Sequence, residues 1–540
     1  MKTTIKNLIL SAVLVVGGAS CVDLDTAPYD RETDLTYWEE DPEAAVKALN
    51  TCYTYLGNMD EQLYCEAMTD NAYTKQPNDA TQNIGNGSYS TADPYVKKVW
   101  DGRYTGIRMC NELLENIDRV PDLDPELKKR YIGEAKVLRA YNYYELYTKF
   151  GDVPYTTKVL SIKESMSIAR TAKATVIANV LADLDEVING NYLPTSYDAD
   201  NKGRITRWAA MAIKAKIYLF EGNWTQVKNI TSTIMTEGGF KLFGSYAGLF
   251  EIANEYNSEV ILDAQYRPTS REHQMMYVFL PPTLGGYSQL SPLQELVDSY
   301  IMLDGKTIKE TGTSFDESHP YANRDPRLKA TVMYTGNSYT LADGTEVVIN
   351  CEKGEGKDGY GVGSDCSATG YYIKKYWDNT YRATLYSGLN PILIRYADIL
   401  LMYAEAQTEY LNKAQGASII NDELVYKSIE MVRQRAGLNP YTLKRGMSYD
   451  QLIKLIRNER RCEFAFEESR FWDIRRWKIA NDVYSKPLHG VRITKKEDGT
   501  FHYDYNMEVA KPYWDDRMYR LPIDHNEVLF NPNIVQNPGY

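Results

Sequence analysis

Histidine is scarce in this sequence, with five residues among 540, and cysteine is limited to seven. The chain contains neither CxxC nor HxxH, so the ligand spacing of common zinc sites is missing. The nucleophile motif GxSxG and the phosphate-binding P-loop are missing as well. We therefore expect no metal ion, no cofactor and no catalytic residues, and interpret the chain as a non-enzymatic protein.

Basic residues are fewer than acidic ones: the chain has 61 Lys and Arg and 73 Asp and Glu, which gives a formal net charge of −12. Nucleic-acid binding requires clustered basic residues, and the chain has no basic block, so we expect no nucleic-acid partner. After residue 20, no apolar run is long enough for a transmembrane helix. Phenylalanine is rare (12 residues) beside tyrosine (45). Because tyrosine has an apolar ring with a polar tip, this bias favours half-wet surfaces over a dry core.

The first twenty residues have the pattern of a lipoprotein signal peptide. Lys2 and Lys6 precede an apolar stretch over 8–16, and small residues over 17–20 lead directly to Cys21. We expect Cys21 to be acylated and residues 21–540 to form a body tethered to a membrane by lipid. The alternative is an ordinary signal peptide with Cys21 incidental.

Helical periodicity dominates the rest of the chain. Apolar residues recur at helix-face spacing over 41–57, 94–120, 125–150, 174–189, 206–221, 224–237, 393–411, 422–436 and 449–480. Several of these segments form adjacent pairs joined by short turns, as in tetratricopeptide units. We predict a mainly α fold of about four such pairs with a few short strands. Long irregular insertions are expected over 60–93, 246–308 and 324–391.

The densely charged segment 457–477 is interpreted as structural. Arg460 with Glu463, Glu467 with Arg470, and Arg470 with Asp473 have the i,i+3 spacing of ion pairs on a helix. Matched charges favour ionised carboxylates over one held protonated, which argues against an acid–base pair. A GxGxxG match over 354–359 is interpreted as a flexible loop, because no helix is predicted after it. For a disulfide, Cys351 with Cys366 is the first pair to test.

Seven segments together resemble the SusD/RagB family of outer-membrane nutrient-binding lipoproteins. They are GEAKVLRAYNYYELYTKFGDVPY (133–155), GRITRWAAMAIKAKIYLFEGNW (203–224), ELVDSYIMLDGK (295–306), NRDPRL (323–328), ILIRYADILLMYAEAQ (392–407), IRNERRCEFAFEESRFWDIRRW (456–477) and NPNIVQNPGY (531–540). The resemblance spans essentially the whole mature chain. One departure is Pro522-Ile523-Asp524, where the family has Pro-Ile-Pro.

The resemblance implies a SusD-like fold of four tetratricopeptide-like pairs in one body. We divide it into an N-terminal part over 21–240, an insertion-rich ligand-binding part over 241–390 and a C-terminal part over 391–540. It also implies an outer-membrane lipoprotein facing the cell exterior, with a SusC-like TonB-dependent transporter as partner. The ligand in the family is usually a glycan fragment, although some relatives deliver peptides.

The candidate ligand-binding residues come from the insertions, where aromatic rings alternate with amides and charges. A sugar needs a flat ring against its C–H face and polar groups for the hydroxyls that lose water. Tyr277 is one of the aromatic residues that the second insertion adds. The predicted set is Asp70, Asn71, Tyr73, Asn78, Asp79, Tyr89, Tyr287, Trp377, Asn379, Arg382 and Tyr386, with Trp377, Asp70 and Arg382 foremost.

The sequence thus predicts a non-catalytic lipoprotein that binds glycans and delivers them to the transporter. Two alternatives stay open. One is a peptide-binding or protein–protein scaffold of the same fold, and the less favoured one is a surface glycoside hydrolase.

Overall fold

The structure is a computed structural model that describes residues 33–76, 79–379 and 385–540. Three of the predicted functional residues, Cys21, Asn78 and Arg382, lie outside the described residues. The segment predicted to be a signal peptide lies outside them as well.

Helices account for most of the regular structure. They are α1 Asp34–Glu40, α2 Ala44–Tyr53, α3 Met59–Glu66, α4 Ala80–Asn86, α5 Pro94–Asn116, α6 Pro125–Phe150, α7 Ile162–Ser165, α8 Lys173–Asn189, α9 Arg207–Glu221, α10 Trp224–Glu237, α11 Met275–Phe279, α12 Gln294–Ser299, α13 Arg327–Thr331, α14 Tyr396–Lys413, α15 Glu423–Arg435, α16 Tyr449–Glu463, α17 Ser469–Arg476, α18 Ala480–Tyr484 and α19 His525–Phe530. The prediction of a mainly α fold is confirmed.

The strands are short and form two-stranded antiparallel sheets. They are β1 Ala72–Thr74, β2 Val260–Asp263, β3 Leu290–Pro292, β4 Val332–Met333, β5 Ser338–Thr340, β6 Glu346–Val348, β7 Tyr372–Ile373, β8 Ile392–Arg395, β9 Ile419–Ile420, β10 Met447–Ser448, β11 Leu488–Lys495 and β12 Phe501–Ala510. The pairs are β1–β3, β2–β8, β4–β7, β5–β6, β9–β10 and β11–β12.

The helical scaffold is built from neighbouring helices that pack in pairs. α5 packs on α6, α9 on α10, and α14 on α15, while α10 also packs on α14 and so joins the two halves of the chain. Local sequence sets the ends of these helices. Asp93 and Asp124 cap α5 and α6 just before a proline in the first turn, and Gly222, with φ +72°, ends α9. One hydrophobic core runs through this stack.

The predicted single helix over 449–480 is wrong. The chain breaks it into α16, α17 and α18, with Phe466, Glu468 and Lys478 at positive φ between 57° and 65°. The segment contains neither proline nor glycine to signal these breaks. They bring Glu463 and Glu467 onto the same arginine, Arg395, so long-range pairing overrides the local helical preference.

The i,i+3 ion pairs predicted in this segment are also wrong, although its charges are structural. Glu463 pairs with Arg395, Arg327 and Arg435, all from distant elements. The three guanidinium groups hold the pKa of Glu463 well below its usual range. Arg460 pairs with Asp473 at 2.9 Å across the break between α16 and α17. Most partners are therefore set by tertiary packing and are buried, although Asp473 also forms a local i,i+3 pair with Arg476 at 2.7 Å.

Cys351 and Cys366 are not joined. Both are buried free thiols, and the Cys366 Sγ donates to the Lys357 carbonyl at 3.2 Å. The GxGxxG match forms turns without a following helix, as expected. A Cβ at Gly359 would lie 2.2 Å from the carbonyl oxygens of Glu352 and Glu355, so this glycine serves close backbone packing.

A second hydrophobic core lies under the insertions. β1 from the first insertion pairs with β3 from the second, and Tyr73 lies opposite Ser291. β2 pairs with β8, which leads directly into α14 of the scaffold. Across the described ranges, we find no helix that is long and apolar enough to cross a membrane.

Candidate functional site

Tyr277, Tyr287 and Tyr386 meet on one surface, which we call the tyrosine platform. Tyr277 lies on α11, whose Met276 and Phe279 are buried in the second core, so that Tyr277 is left half-buried at its edge. After α11 the chain folds back, and the Tyr287 N–H donates to the Tyr277 carbonyl at 2.7 Å. The fold-back holds the two tyrosines side by side.

The fold-back depends on a glycine. A Cβ at Gly286 would lie 2.2 Å from the Leu280 carbonyl oxygen, closer than any side chain can approach. The preceding Gly285 has φ +87°, a conformation that favours glycine. Two prolines, Pro281 and Pro282, begin this turn.

A backbone bridge brings the third ring in from another insertion. His273 and Ser387 exchange both backbone hydrogen bonds, at 2.9 and 3.0 Å. In an antiparallel bridge the flanking residues are also opposed, so Gln274 lies beside Tyr386. The Gln274 side-chain amide donates to the Tyr386 hydroxyl at 2.6 Å.

The three rings form a corner. The Tyr277 and Tyr287 rings are stacked, with centroids 5.7 Å apart and planes 17° apart. The Tyr386 ring stands at 89° to Tyr277, with centroids 6.4 Å apart. Tyr287 is 46% exposed and Tyr386 is 38% exposed, which is high for such large side chains. The platform therefore presents open ring surface with the Gln274 amide at its edge.

Below the platform, His273 is buried and neutral. Burial lowers its pKa to about 4. Its Nε2 lies 3.3 Å from the Leu389 carbonyl, and its Nδ1 accepts from the Met275 N–H at 3.4 Å. This arrangement assigns the proton to Nε2. Because both ring nitrogens have partners within the chain, His273 supports the platform rather than contacting a ligand.

Trp377 and Asn379 lie in a separate pocket of about 340 Å³. Trp377 is 7% exposed and packs edge-on against Tyr339, with centroids 5.1 Å apart, so the expected open ring is instead a pocket wall. Its Nε1 has no hydrogen-bond partner among the described residues. The Asn379 amide donates to the Thr340 carbonyl at 3.1 Å. The Lys374 ammonium lies 4.7 Å from the Trp377 ring.

The expected position of Asp70 and Asn71 at the rim of a loop is wrong. Asp70 accepts two hydrogen bonds from Arg470, at 2.8 and 2.9 Å, and lies 3.0 Å from Arg461. These arginines hold its pKa well below the usual range, although burial alone would raise it. Asn71 is buried between Glu66 and Arg461. Both side chains stabilise the contact between the first insertion and α16 and α17.

The remaining candidates are dispersed. The Asp79 Oδ1 caps α4 by accepting from the N–H groups of Thr81 and Gln82. The Tyr89 hydroxyl lies 2.7 Å from the hydroxyl of Tyr540, near the end of the chain. Tyr73 lies in β1, half-buried. Within the predicted set, the structure thus brings Tyr287 and Tyr386 into contact with Tyr277, and it places Trp377 and Asn379 in a separate pocket.

Gln274 is the platform residue that the sequence analysis did not select. Its position depends on the bridge between His273 and Ser387, residues 114 apart, for which the sequence gives no local signal. Over the described ranges, His, Cys, Asp and Glu form no group of three or more that could hold a metal ion.

Comparisons with known proteins give consistent matches. Residues 249–540 match the model of the SusD family, and residues 37–219 match a model described as starch-binding and associating with the outer membrane. A SusD-like protein of Formosa agariphila, P25, is 26% identical, and the alignment covers 99% of each chain.

Two solved structures from Bacteroides fragilis superpose well. One is a SusD-like protein at 28% identity, with a TM-score of 0.81 over 95% of this chain and all of that one. The other is described as a SusD-like carbohydrate-binding protein, at 25% identity, with a TM-score of 0.81 over 92% and 99% of the two chains. The helical architecture and the family resemblance predicted from the sequence are confirmed.

Proposed function

This chain belongs to the SusD family, and on that premise we propose that it is a non-catalytic cell-surface lipoprotein that binds glycan fragments. It delivers them to a TonB-dependent outer-membrane transporter of the SusC type. The observation that carries this proposal is the tyrosine platform, where Tyr287 and Tyr386 expose ring surface beside the Gln274 amide.

The platform suits a sugar for physical reasons. An exposed ring face can lie against the C–H face of a pyranose and remove apolar area from water. Tyr386 stands at 89° to Tyr277, on which Tyr287 is stacked, so the platform provides two such surfaces for one ligand. The Tyr386 hydroxyl and the Gln274 amide offer hydrogen-bond partners to sugar hydroxyls at the same place. A shallow, wet surface of this kind gives modest affinity.

Family relations support the carbohydrate class of ligand. The Bacteroides fragilis relative at 25% identity is described as carbohydrate-binding, and it shares the fold over 92% of this chain. The family model over residues 37–219 is described as starch-binding and associated with the outer membrane. Anchoring through acylated Cys21 and partnership with the transporter follow from the signal pattern and the family resemblance.

The absence of catalysis is part of the proposal. Four of the carboxylates that the sequence concentrates over 457–477, those of Glu459, Glu463, Glu467 and Asp473, are engaged by arginines. At the platform, the polar groups are the Gln274 amide and the phenol hydroxyls, which do not supply the pair of carboxylates that most glycoside hydrolases use.

Isothermal titration with a glycan panel tests the function. We expect one class of neutral oligosaccharide to bind, and Tyr287→Ala and Tyr386→Ala each to weaken binding about tenfold, or about 1.4 kcal/mol. Tyr513→Ala is the matched control, because Tyr513 is 57% exposed and lies outside the platform.

Two results would overturn the proposal. One is equal affinity in the wild-type protein and both platform variants. The other is release of new reducing ends by the purified protein, which would establish a hydrolase. Binding of peptides in place of saccharides would favour the scaffold alternative.

A further inference from the structure

Away from the tyrosine platform, two clefts adjoin at Pro320 and Tyr321, which line both. One cleft has a volume of about 360 Å³ and the other about 600 Å³. We call them together the hairpin groove, because β12 of the β11–β12 hairpin lines both. None of the platform residues lines either cleft.

An aromatic ladder on β12 runs along the groove. Phe501, Tyr503 and Tyr505 are two residues apart, and each ring is half-buried. The Phe501 and Tyr503 centroids are 6.3 Å apart, and the Tyr503 and Tyr505 rings are parallel within 6° at 6.1 Å. Across the groove, Tyr321 is stacked on Tyr334 at 3.9 Å and stands at 87° to Tyr503.

Polar groups gather at one end of the groove. Glu295 accepts from the His489 ring Nδ1 at 2.7 Å and from the His489 backbone N–H at 3.1 Å. Gln294 donates to Asp298 at 2.6 Å and accepts from the Tyr371 hydroxyl at 2.7 Å. These pairs fix oriented donors and acceptors in the wall of the cleft.

One polar atom in this cleft has no partner. The Tyr505 hydroxyl is buried and makes no hydrogen bond to any described residue. A buried hydroxyl without a partner is unfavourable, and a rotation of the Tyr505 ring towards the cleft that it lines would let a ligand hydroxyl satisfy it. The same residue supplies the last ring of the ladder.

The charges of the cleft restrict the class of ligand. Glu295, Asp298 and Glu317 contribute three carboxylates. Asp298 is neutralised by Lys309 at 3.0 Å. The Arg324 guanidinium is occupied by the carbonyls of Val297, Tyr300 and Pro320. The carboxylates of the cleft would therefore repel an anionic ligand.

We propose that the hairpin groove is a second binding site, which takes a neutral oligosaccharide along Phe501, Tyr503 and Tyr505 and ends at Glu295 and His489. Rings spaced along a strand match successive sugar units, and the carboxylate, imidazole and Tyr505 hydroxyl hydrogen-bond to the terminal unit. The class of ligand rests on the proposed function, but the site does not depend on the platform. Two sites on one body would raise avidity for a long glycan that spans both.

The experiment uses the full chain with the platform disabled by Tyr287→Ala and Tyr386→Ala together. An array of neutral oligosaccharides identifies the strongest ligand of the wild-type protein, and titration calorimetry with that ligand follows. We expect the platform-disabled protein to retain one binding event. Adding Tyr503→Ala to the platform-disabled protein should weaken this residual binding at least tenfold, whereas adding Tyr513→Ala should leave the residual affinity unchanged.

A second variant controls for the possibility that Tyr503→Ala prevents the protein from folding. Tyr505→Phe keeps the ring and its packing but deletes the unpartnered hydroxyl, and we expect it to weaken the residual binding about threefold or more at an unchanged melting temperature. A trilysine peptide serves as the cationic probe, and residual binding of that peptide in place of saccharide would overturn the proposal.

The remaining outcomes separate the two proposals. If the platform-disabled protein binds no saccharide while the wild-type protein does, the groove site is refuted and the proposed function stands. Residual saccharide binding that survives Tyr503→Ala also refutes the groove. If the wild-type protein binds no neutral saccharide on the array, both proposals fail.

Discussion

Arg395 and Glu463, 68 residues apart, form a fully buried ion pair at 2.6 Å. The same guanidinium contacts Glu259 and Glu467, each at 2.7 Å. Arg395 ends β8 and immediately precedes α14, whereas Glu463 ends α16. The Arg395–Glu463 pair therefore links the start of α14 to the end of α16 within the scaffold, and the Glu259 contact links Arg395 to the second insertion.

Replacing Arg395 should destabilise the protein strongly. Arg395→Met removes one of the cations that three buried carboxylates share with Arg327, Arg435 and Lys375. The network is left with one buried negative charge uncompensated, which costs about 3–5 kcal/mol. We expect a marked fall in the urea midpoint of unfolding. The matched control is Arg445→Met, since Arg445 pairs with Glu423 and Glu430 but is 41% exposed, which limits the loss to about 0–1 kcal/mol. Equal losses for the two variants would contradict this ranking.

The turn at Gly286 should control the platform. Gly286→Ala would place a methyl group 2.2 Å from the Leu280 carbonyl oxygen, so the loop holding Tyr287 has to move. We expect about 1–3 kcal/mol of destabilisation and weaker glycan binding in calorimetry. Gly363→Ala is the control, because a Cβ there meets open space. Unchanged binding by Gly286→Ala would show that the observed loop geometry is not needed.

Glu468 should make stability fall as pH rises. Its carboxyl group is mostly buried near Glu145, and both effects raise its pKa to about 7, against an ordinary value near 4.5. Between these values the folded state keeps a proton that the unfolded state has released, so stability is lost as pH rises through this window. This carboxyl also departs from our expectation that the carboxylates over 457–477 are all ionised.

Glu468→Gln removes that titration. We expect the variant to be about 1–3 kcal/mol more stable than the wild-type protein at pH 8, with the difference shrinking towards pH 4.5. Urea unfolding across this range measures it. A difference that is constant with pH would contradict the assigned titration.

Thiol chemistry should separate free cysteines from a disulfide. The six cysteines of the described chain are buried, and burial raises the pKa of Cys462 to about 12. With Cys21 replaced by serine, we expect negligible labelling by a thiol reagent in the native state and six labelled thiols after unfolding without reductant. Four labelled thiols would indicate that one pair, such as Cys351 with Cys366, is oxidised.

The helical scaffold was predictable because its signals are local. Pro125 after Asp124 at one end and Gly151 after Phe150 at the other define α6, whose predicted bounds match the structure. The predicted 224–237 helix also matches α10, which Asn223 caps. In both cases the apolar spacing and the end residues agree, and tertiary packing reinforces what the local sequence prefers.

The tyrosine platform, which stays a candidate site, was predictable as a set of regions but less so as residues. Aromatic and polar composition directed attention to three insertions, and Tyr287 and Tyr386 of that set do meet on Tyr277. Composition could not distinguish an exposed polar side chain from a buried one. Asp70 has the same local character as a rim residue, yet it is buried against Arg461 and Arg470, which lie 391 and 400 residues further along the chain.

By itself, the sequence determined most of the long scaffold helices, the signal pattern and the family, because caps, apolar periodicity and motifs depend on residues close together in the chain. The tertiary structure decided which charges pair, where the helix after Glu463 breaks and which rings face water. Those outcomes depend on contacts such as the bridge between His273 and Ser387. Because these residues are far apart in the chain, no local sequence pattern indicates that they pair.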